Sequence, residues 1–166
     1  MKKVKHRDKR LPVMLALCAV SLIVMVLALT REQKPVMVAF VPPAFESQAV
    51  AGTPEVPSDL GWQELDAQAF RFGVCGAATL TGDEASIYLT NPDGNDVWLK
   101  ARILDASGAV LGETGLIRPG EYVVSVKLNS VPENGAAIGI KVMAYEPDTY
   151  FSEGSATLNT IVKVAG

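Results

Sequence analysis

An all-β domain of sandwich type, preceded by one apolar N-terminal helix, is what the sequence predicts, and three observations predict it. Residues 11–30, "LPVMLALCAVSLIVMVLALT", carry no charge. Beyond residue 61 the apolar side chains recur with a period of two and never with a helical period. Between those runs stand Gly, Pro, Asn and Asp clusters at roughly the 8–12 residue spacing of a sandwich. A chain of 166 residues, 49% apolar and 20% charged, has room for one such domain plus tails and is not a disordered polymer.

The head, "MKKVKHRDKR", holds six Lys/Arg and one acid, about +5, whereas the whole chain is −3, so residues 11–166 sum to −8. Nucleic acid is therefore not an expected partner, because phosphate neutralisation needs a basic face. At 1.5 Å rise per residue the uncharged run spans roughly 30 Å, the hydrocarbon thickness of a bilayer. A soluble domain this small has nothing to cover such a helix on every side. The expectation is a transmembrane signal-anchor over 11–30. Six basic residues precede it, against Arg31 and Lys34 just after it, which keeps residues 1–10 cytoplasmic and the rest extracytoplasmic. Cleavage after "VLA", Val26–Ala28, giving a secreted form, is the alternative. With Cys18 in the anchor and Cys75 in the outer domain, no internal disulfide is expected, and sparse cysteine inclines toward a Gram-positive surface.

Residues 31–60 read as a Pro-rich extracytoplasmic linker, with Pro35, Pro42, Pro43, Pro54 and Pro57 excluding helix. Within it "VMVAFVPPAF" is apolar enough for Val38, Phe40 and Phe45 to dock on the domain, or else to lie near lipid. Residues 61–166 form the domain. Alternation places Phe70, Phe72 and Val74 inward, then Ala85, Ile87 and Leu89, then Val97, Leu99, Ala101 and Ile103. It continues with Tyr122, Val124, Val126 and Leu128, and with Ile138, Ile140, Val142 and Ala144; "ATLNTIVKV" closes the series. Antiparallel strands with one apolar face must bury it against a second sheet, hence a β-sandwich.

"NPDGND", residues 91–96, is superficially like a calcium-binding loop. Gly94 comes too early for that loop, and the twelfth residue from Asn91 is Arg102 where a Glu would be needed. Asn91–Pro92–Asp93–Gly94 instead carries turn chemistry, as does "DASG" at 105–108. An irregular cation site through Asp93, Asn95 and Asp96 is the competing reading.

The stretch "LTNPDGNDVWLKARILDASGAVLGETGLIRPGEYVVSVKL" resembles the immunoglobulin-like accessory domains of bacterial surface proteins: a strand ending in Asn, then x-V-x-L-x-A-x-I-x-D-x-x-G, then a "PGE" turn and another strand. The likeness covers residues 70–164 and implies an antiparallel immunoglobulin-like β-sandwich. The overall layout resembles single-span proteins carried on mobile or conjugative elements of Gram-positive bacteria. Both likenesses rest on strand and turn positions, so neither assigns chemistry.

Catalytic constellations are not legible. The one histidine, His6, lies in the basic head, so no Ser/His or Cys/His pair forms outside, and no nucleophile elbow or phosphate-binding loop occurs. No enzyme, metal or cofactor is expected. Two places suggest recognition instead. "AYEPDTYFSEG" gathers Tyr145, Tyr150 and Phe151 with Glu146 and Asp148 in the longest connection between strong strands. Those rings either contact a partner or cap the end of the sandwich. The second place is the outward row Trp98, Lys100 and Arg102, neighboured by Lys127 and Lys141, which otherwise reads as a solvated strand face. The functional expectation is a membrane-anchored, non-enzymatic protein-interaction module of the cell envelope, part of a conjugation or surface assembly. The alternative is a module recognising glycan or peptide.

Overall fold

Ten strands account for most of the chain beyond residue 50. The computed structural model describes residues 10–30 and 40–165, and it divides the chain into two units, 1–40 and 41–166. The strands are β1 (Val50–Ala51), β2 (Trp62–Asp66), β3 (Arg71–Cys75), β4 (Ala78–Thr81), β5 (Glu84–Asn91), β6 (Trp98–Leu104), β7 (Val110–Glu113), β8 (Glu121–Lys127), β9 (Ala137–Tyr145) and β10 (Ser152–Val164). A short 3₁₀ turn, Ser58–Leu60, precedes β2.

In the first unit, α1 (Arg10–Thr30) carries the apolar run. Side chains are described there only for Met14 and for 17–27, and among the described residues no helix is long and apolar enough to cross a membrane. Val38 lies outside the described residues, and Phe40 is exposed.

In the second unit the strands make one curled sheet in the order β1-β8-β5-β4-β10-β9-β6-β7, with β2 paired to β3 and β3 to β5. Strand β10 holds its two halves together: residues 152–161 run antiparallel to β9, and residues 162–164 run parallel to β4. The expectation of purely antiparallel strands fails at that last pairing. Curling does the work assigned to a second sheet, since inward residues of β5 and β8 (Ile87, Leu89, Val123, Val126) share one core with those of β6 and β9 (Leu99, Ile103, Ile140, Val142). The sheet nearly meets itself, through a bridge between Gly112 and Leu128 and a hydrogen bond from Asn129 N to Leu111 O (2.7 Å). Gly112 permits this approach, because a Cβ there would run into the Lys127 carbonyl oxygen.

Most expected inward positions are buried: Phe70, Phe72, Val74, Ala85, Ile87, Leu89, the Val97–Ile103 set and the Ile138–Ala144 set. Strand β8 departs from its expected phase. Val126 and Leu128 are inward, but Val123 takes the remaining core place, Tyr122 is only partly covered and Val124 is 39% exposed. The cause is a bulge in β5 between Ser86 and Leu89, where Tyr88 takes φ +49 and an extra residue opposes β8.

The polar ends of the β5–β6 connection turn the chain and lock it. Asn91, fully buried, donates from Nδ2 to Val97 O and Ile117 O, both at 2.9 Å. Its Oδ1 accepts from Asn95 Nδ2 at 2.7 Å. Asn95 also donates to Arg71 O (2.6 Å) and accepts from Arg71 N (3.0 Å), tying the loop to β3. The amide of Asn95, a candidate cation ligand on sequence grounds, is thus spent on protein groups. At the next turn Asp105 Oδ1 accepts from Ser107 Oγ, Ser107 N and Ala109 N, and Gly108 adopts φ +86.

Residues 41–60, read from sequence as the end of a linker, belong to the sheet unit. Ala44 O accepts from Leu116 N (2.9 Å), Glu46 N donates to Leu116 O (2.8 Å), and Val50–Ala51 pair with Tyr122 and Glu121. Proline excludes helix but leaves an extended segment free to add to a sheet, which a composition-based reading cannot tell from a stalk.

Candidate recognition surface

Trp98 opens β6 and Tyr145 ends β9, and they are cross-strand partners. The two places singled out in the sequence, the loop 144–154 and the row on β6, are therefore one place. The loop is a tight turn: Tyr150 N donates to Glu146 O (3.0 Å), Glu146 N to Phe151 O (2.8 Å) and Thr149 Oγ1 to Glu146 Oε2 (2.6 Å). Asp148 and Tyr150 take positive φ, +68 and +60. Neither residue is glycine, so the surrounding contacts must hold this conformation.

That turn sets the Tyr150 ring edge-on to Trp98, with centroids 5.3 Å apart and planes at 60°. Phe45 packs near Trp98 as well (4.8 Å, 78°), and the Arg118 guanidinium lies 3.6 Å over the Phe45 ring. Arg118, Phe45, Trp98 and Tyr150 make a row of successive contacts whose ring pairs contribute about 0.5–1.5 kcal/mol each beyond area burial. Phe45 is held by its backbone bridge to Leu116, and neighbouring Glu46 accepts from Gly115 N (2.7 Å). Gly115 is small of necessity there, since a Cβ would fall 2.6 Å from Glu46 N. Arg118 is also fixed by Glu121, through Nη1 (3.4 Å) and its backbone N (2.9 Å).

Phe151 does not join the row. It is 71% exposed, with Glu146, Asp148 and Glu153 also exposed around the same turn. Tyr145 is half-buried and its hydroxyl donates to Met143 Sδ (3.7 Å).

Lys100 and Arg102 are not a free basic row. Lys100 is only 8% exposed and pairs with Glu113 Oε1 at 2.8 Å, while Arg102 Nε holds the other oxygen at 2.9 Å. Burial alone would raise the Glu113 pKa, but hydrogen bonds from Lys100 and Arg102 and their charges outweigh it and hold the carboxyl below the usual range. Lys141 stands opposite Arg102 as expected, whereas Lys127 pairs with Asp83 (3.5 Å). Phe45 had been flagged in the sequence only as a docking candidate, and Arg118 not at all, since "RPGE" reads as a turn.

Among the described residues no group of three His, Cys, Asp or Glu is placed to hold a metal ion. The Cys75 thiol is buried, and burial, followed by the nearby Asp59 charge, pushes its pKa up to about 11, far from a nucleophilic thiolate at neutral pH. No protein-family model, no curated protein and no solved structure matches the chain.

Proposed function

We propose that the protein is a membrane-anchored, extracytoplasmic interaction module of the cell envelope, part of a conjugation or surface assembly, that docks a protein partner through the turn at Phe151. The observation that carries this reading is a large ring, 71% exposed, presented by a strained turn that the Trp98–Tyr150 pair braces from behind. An aromatic anchor on a rigid base is what interface hot spots use. The acidic side chains around it favour a partner with a basic rim.

The immunoglobulin-like part of the reading is supported by wiring. Strand β4 is antiparallel to β5 and parallel to β10, and the runs β8-β5-β4 and β10-β9-β6 have the orders of the E-B-A and G-F-C groupings of that fold. The anchor rests on the sequence alone, an uncharged run over residues 11–30 behind a head of about +5.

The test is affinity capture of the full chain from solubilised membranes, beside Phe151→Ala and an exposed control, Val131→Ala. A stoichiometric protein partner recovered with the wild type and control but lost with Phe151→Ala supports docking. Equal recovery in all three, or no partner together with glycan binding by the purified protein, removes it. Intact mass of the membrane-extracted chain decides the anchor, because a mature form starting at Leu29 means cleavage and release.

A further inference from the structure

We propose that the open edge of β10 pairs with the same edge of a second copy, joining two sheets across a two-fold axis near Thr157. Among the described residues no strand pairs with residues 152–160 on the side away from β9, because β4 takes up only 162–164. Which backbone groups face that side follows from its two ends. Val162 N donates to Ala136 O (3.0 Å), toward the β9 side, whereas Ala165 N donates to Leu80 O (2.9 Å) on β4. Odd positions therefore turn toward β4, and the alternation carries N–H and C=O of Ser155, Thr157 and Asn159 to the open edge.

The other edges are blunted, and this one is open from Ser155 to Asn159, beyond which Thr160 Oγ1 donates to Gly76 O. Strand β2 presents Glu64 and Asp66, β1 has two residues, and β7 is met by Leu128 and Asn129. Strand β10 runs "SATLNT" over 155–160 with no charge and no proline, and its one irregularity, at Gly154, lies before that stretch. An undefended edge of this length pairs with something, since natural sheets otherwise place Lys, Pro or a bulge there. Self-pairing is the occupant its side chains favour. Centred on Thr157, an antiparallel pair sets Thr157 against Thr157 and Ser155 against Asn159 twice, all exposed, small and polar, with no like charges opposed.

Cysteine cross-linking in the full chain, in detergent and with Cys18→Ala to remove the accessible native thiol, tests the register. At the axis Thr157→Cys places two Cα atoms about 5.5 Å apart, within disulfide reach. Mild oxidation should link it far more than the exposed control Ser130→Cys. Adding Ser155→Lys with Asn159→Lys opposes two like-charged pairs and should cut the linked fraction roughly tenfold. Ser155→Glu with Asn159→Lys turns both pairs attractive and should restore it. Because both double variants change only exposed side chains of one strand, restoration separates interface loss from misfolding. Linking no better than Ser130→Cys, or linking indifferent to the lysines, or no recovery with the opposite charges, overturns the proposal and leaves the edge to a strand from another protein.

Discussion

The rings of Trp98 and Tyr150 stand 5.3 Å apart at 60°, although one begins a strand and the other sits in a distant turn with positive φ. The contact divides the aromatic residues of that turn into one that braces and one that is presented. Tyr150→Ala should lower stability by about 1–2 kcal/mol through the lost ring pair and relaxation of the turn. Phe151→Ala should leave the thermal midpoint almost unchanged while weakening partner capture about thirtyfold, the equivalent of roughly 2 kcal/mol. Thermal unfolding beside capture separates the two; a destabilised Phe151→Ala would make that ring a cap on the core.

Asn91 should be the costliest polar residue to replace. Asn91→Ala removes the bond to the Val97 carbonyl, while the Ile117 carbonyl keeps Leu99 N and the Asn95 amide keeps Arg71 O, and a buried group left unsatisfied costs about 1–3 kcal/mol. A lower urea midpoint is expected, equivalent to about 1–3 kcal/mol of lost stability, with the slope of the transition preserved. A change within about 0.5 kcal/mol would mean that solvent reaches this loop.

Strand phase is checked by charge insertion. Leu99→Asp and Val126→Asp bury an unpaired carboxylate and should cost several kcal/mol, enough to unfold a marginal domain. Val124→Asp should be tolerated, because the bulge at Tyr88 turns that position outward. If Val124→Asp unfolds the domain as Leu99→Asp does, β8 follows simple alternation and the bulge is wrong.

Acid should release the Lys100–Glu113–Arg102 group. The folded Glu113 pKa is depressed, so its stabilisation is present above the ordinary value of 4.5 and lost as pH falls through the lower folded value. The Glu113 side chain is 41% exposed, so solvent screening keeps the effect modest. Glu113→Gln should be less stable than wild type above about pH 5, with the difference shrinking steadily below it. Thermal midpoints of both proteins across that window are the measurement, and a constant gap would rule the linkage out.

Alternation was enough to place Leu99, Ile103, Ile140 and Val142 in the core, because a strand buried on one face writes its period into the local sequence. It could not find β2, where "WQELD" has no apolar phase, nor β1, whose two residues are strand only by pairing with β8. The shift at Val124 was hidden for the same reason, since it originates in an extra residue on the neighbouring strand. The candidate surface was legible as two lists of residues but not as one place. Its unity depends on Trp98 lying opposite Tyr145, and register between strands is a non-local property. Asn91 and Asn95 looked like loop residues because nothing in "NPDGND" reveals that both amides point inward.

The parallel pairing of β10 with β4 has a kinetic side. It brings residues 162–164 beside 78–80, the most widely separated register among the described residues, and it joins the two halves of the ladder at the end opposite the bridge between Gly112 and Leu128. Closing so large a loop costs entropy before any contact repays it, so folding belongs on the millisecond-to-second scale of non-local β proteins. Until that closure the hairpin-like pieces β4–β5 and β9–β10 can each form early, yet the apolar faces they carry remain wet. A chain synthesised in the order of its sequence therefore passes through an interval in which its interior is open to chaperones, proteases and neighbouring copies alike.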